Sequence, residues 1–129
     1  MNRAVVSIGS NIDPRQNVSK ALTILGERFS VEAVSNFAFT SPVGFLDQPD
    51  FLNGAVLLAT DLSCEELKGV LEGIEKEMGR VKSANKFGPR VIDLDIVVWN
   101  GEVTDEDYYS REFLRDAVEE VIEGKKRDS

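Results

Sequence analysis

The stretch Arg90-Val91-Ile92-Asp93-Leu94-Asp95-Ile96-Val97-Val98 decides the reading of this chain. It is rich in β-branched residues and predicts a strand over residues 91–99. Alternate side chains of an extended chain point to opposite faces. Ile92, Leu94, Ile96 and Val98 then point one way, towards a core. Asp93 and Asp95 point the other way, about 7 Å apart along the strand, and Val91 and Val97 share their face. Two carboxylates so placed repel each other unless a cation lies between them, which makes the pair a candidate seat for one or two Mg²⁺ ions. The same spacing suits the wet face of a half-exposed strand, and at this point both readings stand.

Working outward, residues 81–89 form a basic loop, and from Arg80 to Arg90 the charges are Arg80, Lys82, Lys86 and Arg90, with no acid among them. Before it, Ser63 and Glu66 form a capping box, with Leu62 and Leu67 placed as a hydrophobic staple. Leu67, Val70, Leu71, Ile74 and Met78 then make an apolar stripe at helical spacing, and Gly79 ends the helix. Residues 51–60 read as a strand, and residues 31–40 as another, with Ala33, Ser35, Phe37 and Phe39 on one face. Between them, residues 41–50 form a loop punctuated by Pro42, Gly44 and Pro49. At the start, residues 4–8 are a short buried strand ended by Gly9-Ser10-Asn11. Asp13, Pro14 and Gln16 open a helix carrying Val18, Ala21, Leu22 and Leu25, which Gly26 stops. A last helix is expected over residues 111–122, with Leu114, Ala117, Val118 and Val121 on one side and a frayed tail over residues 124–129.

The order is strand, helix, strand, strand, helix, strand, helix. Its first six elements match an α+β, ferredoxin-like βαββαβ pattern: an antiparallel sheet with helices on one face, plus a C-terminal helix. The opposite sheet face is expected to be free to build a site.

With 129 residues the chain has length for a single domain, residues 1–129. No apolar run approaches the roughly 20 residues of a membrane helix, and the start has no signal-peptide pattern. One cysteine, Cys64, excludes an internal disulfide framework, and these features together point to the cytoplasm. There is no histidine. That excludes histidine bases, Ser-His-Asp and Cys-His pairs, and imidazole or thiolate zinc sites. Any metal must be a hard ion held by oxygen, and any catalysis must rest on carboxylates, arginine, lysine and backbone groups.

The net charge of −8 disfavours nucleic-acid binding, which relies on a basic face. Residues 102–123 hold nine acids against Arg111 and Arg115. A basic loop in so acidic a chain suits a small anion, and beside the aspartates it suits a polyphosphate. Phe51 and Asn53 share a strand face, where a ring can stack and an amide can both donate and accept; a core Phe and a turn-edge Asn are the plainer reading. Gly9-Ser10-Asn11 lacks a phosphate-loop motif and reads as a structural turn. Cys64 has no partner base and reads as structural.

Three motifs in this order carry a resemblance: Ile8-Gly9-Ser10-Asn11; Thr40-Ser41-Pro42-Val43-Gly44 followed by Asp47-Gln48-Pro49-Asp50-Phe51-Leu52-Asn53; and Gly79-Arg80 with Phe87-Gly88-Pro89-Arg90-Val91-Ile92-Asp93-Leu94-Asp95-Ile96. Over residues 4–99, and less closely to Phe113, the chain resembles the 6-hydroxymethyl-7,8-dihydropterin pyrophosphokinases of folate biosynthesis. The resemblance implies a ferredoxin-like fold and a transferase that passes pyrophosphate from ATP to a pterin hydroxymethyl group, releasing AMP. It implies two Mg²⁺ ions with ATP, held by Asp93 and Asp95. Arg80 and Arg90 would neutralise phosphates, with Lys82 assisting and Glu75 and Ile96 near the nucleotide. Phe51 would stack on the pterin and Asn53 would bond its edge, with backbone around Thr40, Pro42 and Val43 on the remaining edge and Phe87 closing from the loop. Arg111 and Phe113 match a later phosphate arginine and a second stacking ring. ATP and a pterin are then the partners, without nucleic acid or membrane, and the chain is expected to be a monomer.

The chain also departs from the family pattern. Phe51 stands for a usual Tyr, Phe87 for a Trp, and Lys82 for an Arg, which loses bidentate phosphate binding. The family's Pro-His segment has no counterpart, and the region between Trp99 and Arg111 is short, so this is a short C-terminal variant. Two alternatives follow: a non-catalytic pterin or nucleotide-binding protein of the same fold, or a pyrophosphokinase with another alcohol acceptor.

Overall fold

The computed structural model describes residues 1–42, 44, 46–80 and 89–128, with side chains of the last helix to residue 124. In chain order the elements are β1 (Asn2–Ser10), α1 (Pro14–Arg28), β2 (Ser30–Val34), β3 (Ala38–Thr40), β4 (Phe51–Thr60), α2 (Cys64–Glu77), β5 (Asp93–Trp99), β6 (Glu102–Val103), α3 (Asp107–Ser110) and α4 (Glu112–Asp128). The sheet runs β2-β4-β1-β5-β6, with β3 also on β4, and every pairing is antiparallel. This is the α+β, ferredoxin-like arrangement that the element order predicts.

One face of the sheet packs on α1 and α2. Ala4, Val6 and Ile8 of β1, Val56 and Leu58 of β4, and Leu94 of β5 meet Ala21 and Leu25 of α1 and Leu67, Leu71 and Ile74 of α2. Burying each such large side chain is worth about 1.5–3 kcal/mol. The α2 capping box forms as predicted: Ser63 Oγ accepts the Glu66 N–H at 3.1 Å, and Glu66 Oε1 accepts the Ser63 N–H at 3.0 Å.

The other sheet face is not wholly free, contrary to the sequence expectation. Val5, Ala55, Leu57 and Val97 pack there against Ala117, Val118 and Val121 of α4. The helix covers one half of this face. The remaining half carries Ser7, Gly9, Phe51, Asn53, Asp93 and Asp95, and it stays open.

Other expectations need correction. Gly9 and Ser10 belong to β1 and pair with Asn53 and Leu52, so the turn begins only at Asn11. Asp13 sits in a left-handed conformation and caps nothing with its side chain. Instead Ile12 O accepts from Asn17 Nδ2 at 2.6 Å and from Ser10 Oγ at 3.0 Å. Gly26 does not stop α1, which runs on to Arg28. The strand over residues 31–40 is broken in two. Ser35 turns its N–H to Ala55 O and its Oγ to the Ala55 N–H. Across that break, Ala33 packs on the α4 side while Phe37 packs on the α1–α2 side, so they share no face. In β5 a bulge does the same. Val5 pairs with Val98 and Val6 with Ile96, leaving Val97 extra, so Val98 turns to the α4 side and away from Ile96. The last helix starts at Glu112 after the short α3 and continues to Asp128, so residues 124–128 are not a frayed tail.

Candidate functional site

Three neighbouring strands present the open half-face. Gly9 pairs with both Asn53 and Asp93, so β1 lies between the strand carrying Phe51 and Asn53 and the strand carrying the aspartates. A cleft of about 430 Å³ lies over these residues. Thr40, Ser41, Phe51 and Asn53 form one side, Arg90, Asp93 and Asp95 another, and Arg111 and Phe113 at the start of α4 a third. Asn53 Nδ2 donates to Thr40 Oγ1, which fixes the amide. A second cleft, lined by Glu75, Arg80, Ile96 and Lys68 among others, shares the wall made by Asp93, Asp95, Asp105 and Asp107. The aspartate pair therefore stands between two recesses.

The charges at this wall are organised by α2. Glu75, a buried carboxylate on α2, accepts the Leu94 N–H at 2.9 Å and pairs with Arg80 Nη1. The same Arg80 nitrogen lies 3.0 Å from Asp93 Oδ1. Burial raises the Glu75 carboxyl above its ordinary value; the Leu94 N–H and Arg80 pull it back, and Asp93 adds to the rise. Asp95 keeps an exposed edge in the recess. The protein packed around its carboxyl, with Asp93, Glu75 and Asp105, pushes it up to about 7 against the pull of Arg80. Burial, which disfavours the charged form, is the largest cause, and the neighbouring carboxylates add to it.

The structure brings together most residues picked out in the sequence. Thr40, Phe51, Asn53, Arg90, Asp93, Asp95, Arg111 and Phe113 share the first cleft, and Glu75, Arg80, Ile96 and both aspartates the second. Pro42 is buried and is not part of the cleft wall. Val43, Lys82 and Phe87 lie outside the described residues.

Asp105 and Asp107 were missed. They arrive by a hairpin at Asn100-Gly101, whose φ angles of 49° and 86° suit the tight turn that Asn-Gly favours. The returning chain is pinned by Thr104, which donates its N–H to Val97 O at 2.8 Å and its Oγ1 to Ile96 O at 3.0 Å. The Asn-Gly pair in the sequence was the signal that could have placed them.

An α+β sheet thus carries a two-recess site, with paired aspartates on the shared wall, a buried Glu–Arg brace and an aromatic lining. The family model for 7,8-dihydro-6-hydroxymethylpterin-pyrophosphokinase matches residues 5–123, and the chain belongs to that family. Proteins named 2-amino-4-hydroxy-6-hydroxymethyldihydropteridine pyrophosphokinase are similar to it. The one from Pseudomonas aeruginosa is 38% identical over 109 residues, 81% of this chain and 66% of the relative. That from Bacillus subtilis is 39% identical over 104 residues, 78% of this chain and 62% of the relative. That from Haemophilus influenzae is 31% identical over 125 residues, 88% and 78% of the two. The chain thus spans slightly less than two thirds of the first two relatives. Among the described residues, no helix is long and apolar enough to cross a membrane.

Proposed function

We propose that this chain transfers the pyrophosphoryl group of ATP to the hydroxymethyl oxygen of 6-hydroxymethyl-7,8-dihydropterin. The acceptor oxygen forms a bond to the β-phosphorus and gives up its hydroxyl proton to solvent, the bond from that phosphorus to the α-phosphate bridging oxygen breaks, and AMP leaves. The observation that carries this reading is the position of Asp93 and Asp95 on the wall shared by two clefts. One cleft has a flat aromatic and amide lining for a ring, and the other has Arg80 and α2 for a nucleotide.

The side chains that Asp93, Asp95, Asp105 and Asp107 bring to the wall are carboxylates, and burial first, then the neighbouring carboxylates, raise the Asp95 carboxyl. Such a set fits Mg²⁺, which Asp93 and Asp95 would hold and which would neutralise phosphate oxygens when bound with ATP. Among the described residues no three acidic, His or Cys side chains converge to hold a metal alone.

Arg80 and Arg90 would stabilise charge that shifts on the phosphates as the bond to AMP breaks. Glu75 acts through Arg80 and β5, since its carboxylate is already engaged by Arg80 and the Leu94 N–H. Phe51 and Phe113 line the ring recess, with Asn53 held by Thr40 to read a polar edge. The absence of histidine favours a second reading, a binding protein that has lost turnover. Incubation with ATP, Mg²⁺ and the hydroxymethyl pterin decides between them: AMP should appear in step with pterin consumed, and no AMP release contradicts the enzymatic reading.

A further inference from the structure

Strand β1 runs beneath the first cleft, and its residues Ser7 and Gly9 lie on the cleft floor. Val5, two residues before Ser7 on the same face, is covered by α4, while Val6 and Ile8 point into the α1–α2 core. The register sets the neighbours. Gly9 stands between Asn53 of β4 and Asp93 of β5, and Ser7 stands between Ala55 and Asp95. Ala55 is fully buried and packs with α4, so Ser7 is placed where the apolar helix contact ends and the open floor begins. Gly9 brings no side chain. The half-buried Ser7 hydroxyl is therefore what β1 offers the cleft. Among the described residues none hydrogen-bonds it. An alanine would pack beside Ala55 as well, so the polar capacity of this serine is not spent on the fold.

We propose that Ser7 is a specificity-determining residue whose hydroxyl donates a hydrogen bond to the hydroxymethyl oxygen of the acceptor, and so selects a pterin that carries this oxygen. It rests on the pyrophosphokinase reading and names a contact within it. The ring is read on the Phe51 and Asn53 side, and phosphorus is met at the aspartates, so the acceptor must lie across β1. Adjacent strands are about 4.8 Å apart, which makes the span from β4 to β5 about 10 Å. A two-ring heterocycle with a one-carbon arm suits that span. Bare Gly9 leaves room for the ring. Ser7, the next residue on that face, lies directly opposite Asp95, where the arm arrives. Opposite residues of antiparallel strands hold their Cβ atoms about 4.5–5.5 Å apart, so an oxygen approaching Asp95 comes within reach of the serine. An ionised carboxylate has no proton to donate, whereas a hydroxyl does and can rotate to aim it. The second lone pair of the arm oxygen stays free to attack phosphorus.

The test is calorimetric titration with 6-hydroxymethyl-7,8-dihydropterin and with its 6-methyl analogue, which lacks the oxygen. Both go into the chain saturated with Mg²⁺ and an ATP analogue whose α–β bridge is a methylene, so that no reaction intervenes. The unaltered chain should prefer the hydroxymethyl form. Ser7→Ala should reduce that preference at least about fivefold, by weaker binding of the hydroxymethyl form alone, with the methyl form bound as before. Ser7→Cys fills similar space with a weakly bonding group and should behave as Ser7→Ala does. A serine that merely faces water would leave both affinities unchanged in the two variants, and that result overturns the proposal. Equal weakening of the two forms overturns it as well, because it marks a change in the shape of the cleft. So does an unaltered chain that binds both forms equally. If the unaltered chain binds neither pterin, the pyrophosphokinase reading itself falls and the proposal with it, whereas unchanged selectivity in the variants leaves that reading standing.

Discussion

Arg80 holds its guanidinium 3.0 Å from the Asp93 carboxylate. Glu75 grips the same nitrogen from α2. The cation is therefore fixed before any substrate arrives, and a fixed donor is worth most where charge develops during reaction. Arg80→Ala should lower kcat by about 10²–10³-fold while pterin affinity stays near that of the unaltered chain. Single-turnover kinetics beside a pterin titration checks this. Equal losses in rate and affinity would mark Arg80 as a plain binding group.

Glu75 gives the fold a dependence on pH. Burial raises its carboxyl above the ordinary range, so over that interval the folded chain holds the proton more firmly than the unfolded chain. Its contribution to stability is full below the ordinary value and is lost as pH rises through the raised one. Glu75→Gln keeps an acceptor for the Leu94 N–H but has no proton to lose. Denaturant unfolding from about pH 4 upward should show the downward slope flattened in Glu75→Gln. An identical slope in both chains contradicts the assignment.

Two close approaches separate site from core. A Cβ at Gly9 would lie 2.5 Å from Asn53 Oδ1, the end of a side chain that can swing away. Gly9→Ala should therefore keep the fold, displace the Asn53 amide from Thr40, and weaken pterin binding at least about tenfold, the scale of a lost hydrogen bond in a desolvated site. A Cβ at Gly54 would lie 2.6 Å from the Phe37 ring. Gly54→Ala should cost about 1–3 kcal/mol of stability by overpacking. Thermal melting and pterin titration of the two variants should give opposite profiles.

Local signals that agree with the final packing were legible in the sequence. The Ser63–Glu66 box, the Leu67–Ile74 stripe and the alternation of Ile92, Asp93, Leu94 and Asp95 each carry their own physical cause, and the structure keeps all three. The features that were not legible depend on partners distant in sequence. Val98 changes face because β1 leaves Val97 without an opposite residue. The break at Ser35 is held by Ala55, and Asn36 offers its N–H to the Glu120 carboxylate of α4 at 3.0 Å. Gly26 is tolerated inside α1 because Leu25 is packed in the core, which outweighs a local cost of about 1 kcal/mol. In the site, the aspartates were legible as a strand pattern, whereas the role of Glu75 as a brace depends on α2 crossing β5. The Asn100-Gly101 turn was legible by its chemistry and was overlooked.

The start of α4 separates two roles. Among the described residues, the Arg111 side chain pairs with Asp107 at 3.5 Å, an exposed pair that is worth little to the fold. Arg111→Ala should leave melting unchanged and weaken ATP binding by about 1–3 kcal/mol, as for a lost charge-assisted hydrogen bond. Phe113→Ala should weaken pterin binding with little effect on nucleotide. Calorimetric titration of each variant with both ligands distinguishes them. Arg111→Ala binding nucleotide as the unaltered chain does would make this segment a structural cap.

The central claim is that the β- and γ-phosphates move together onto the pterin. Phosphorus NMR of a completed reaction with ATP, Mg²⁺ and hydroxymethyl pterin reads this directly. The account predicts AMP together with a pterin carrying two mutually coupled phosphorus signals. ADP with a pterin monophosphate, or unchanged ATP, would contradict it.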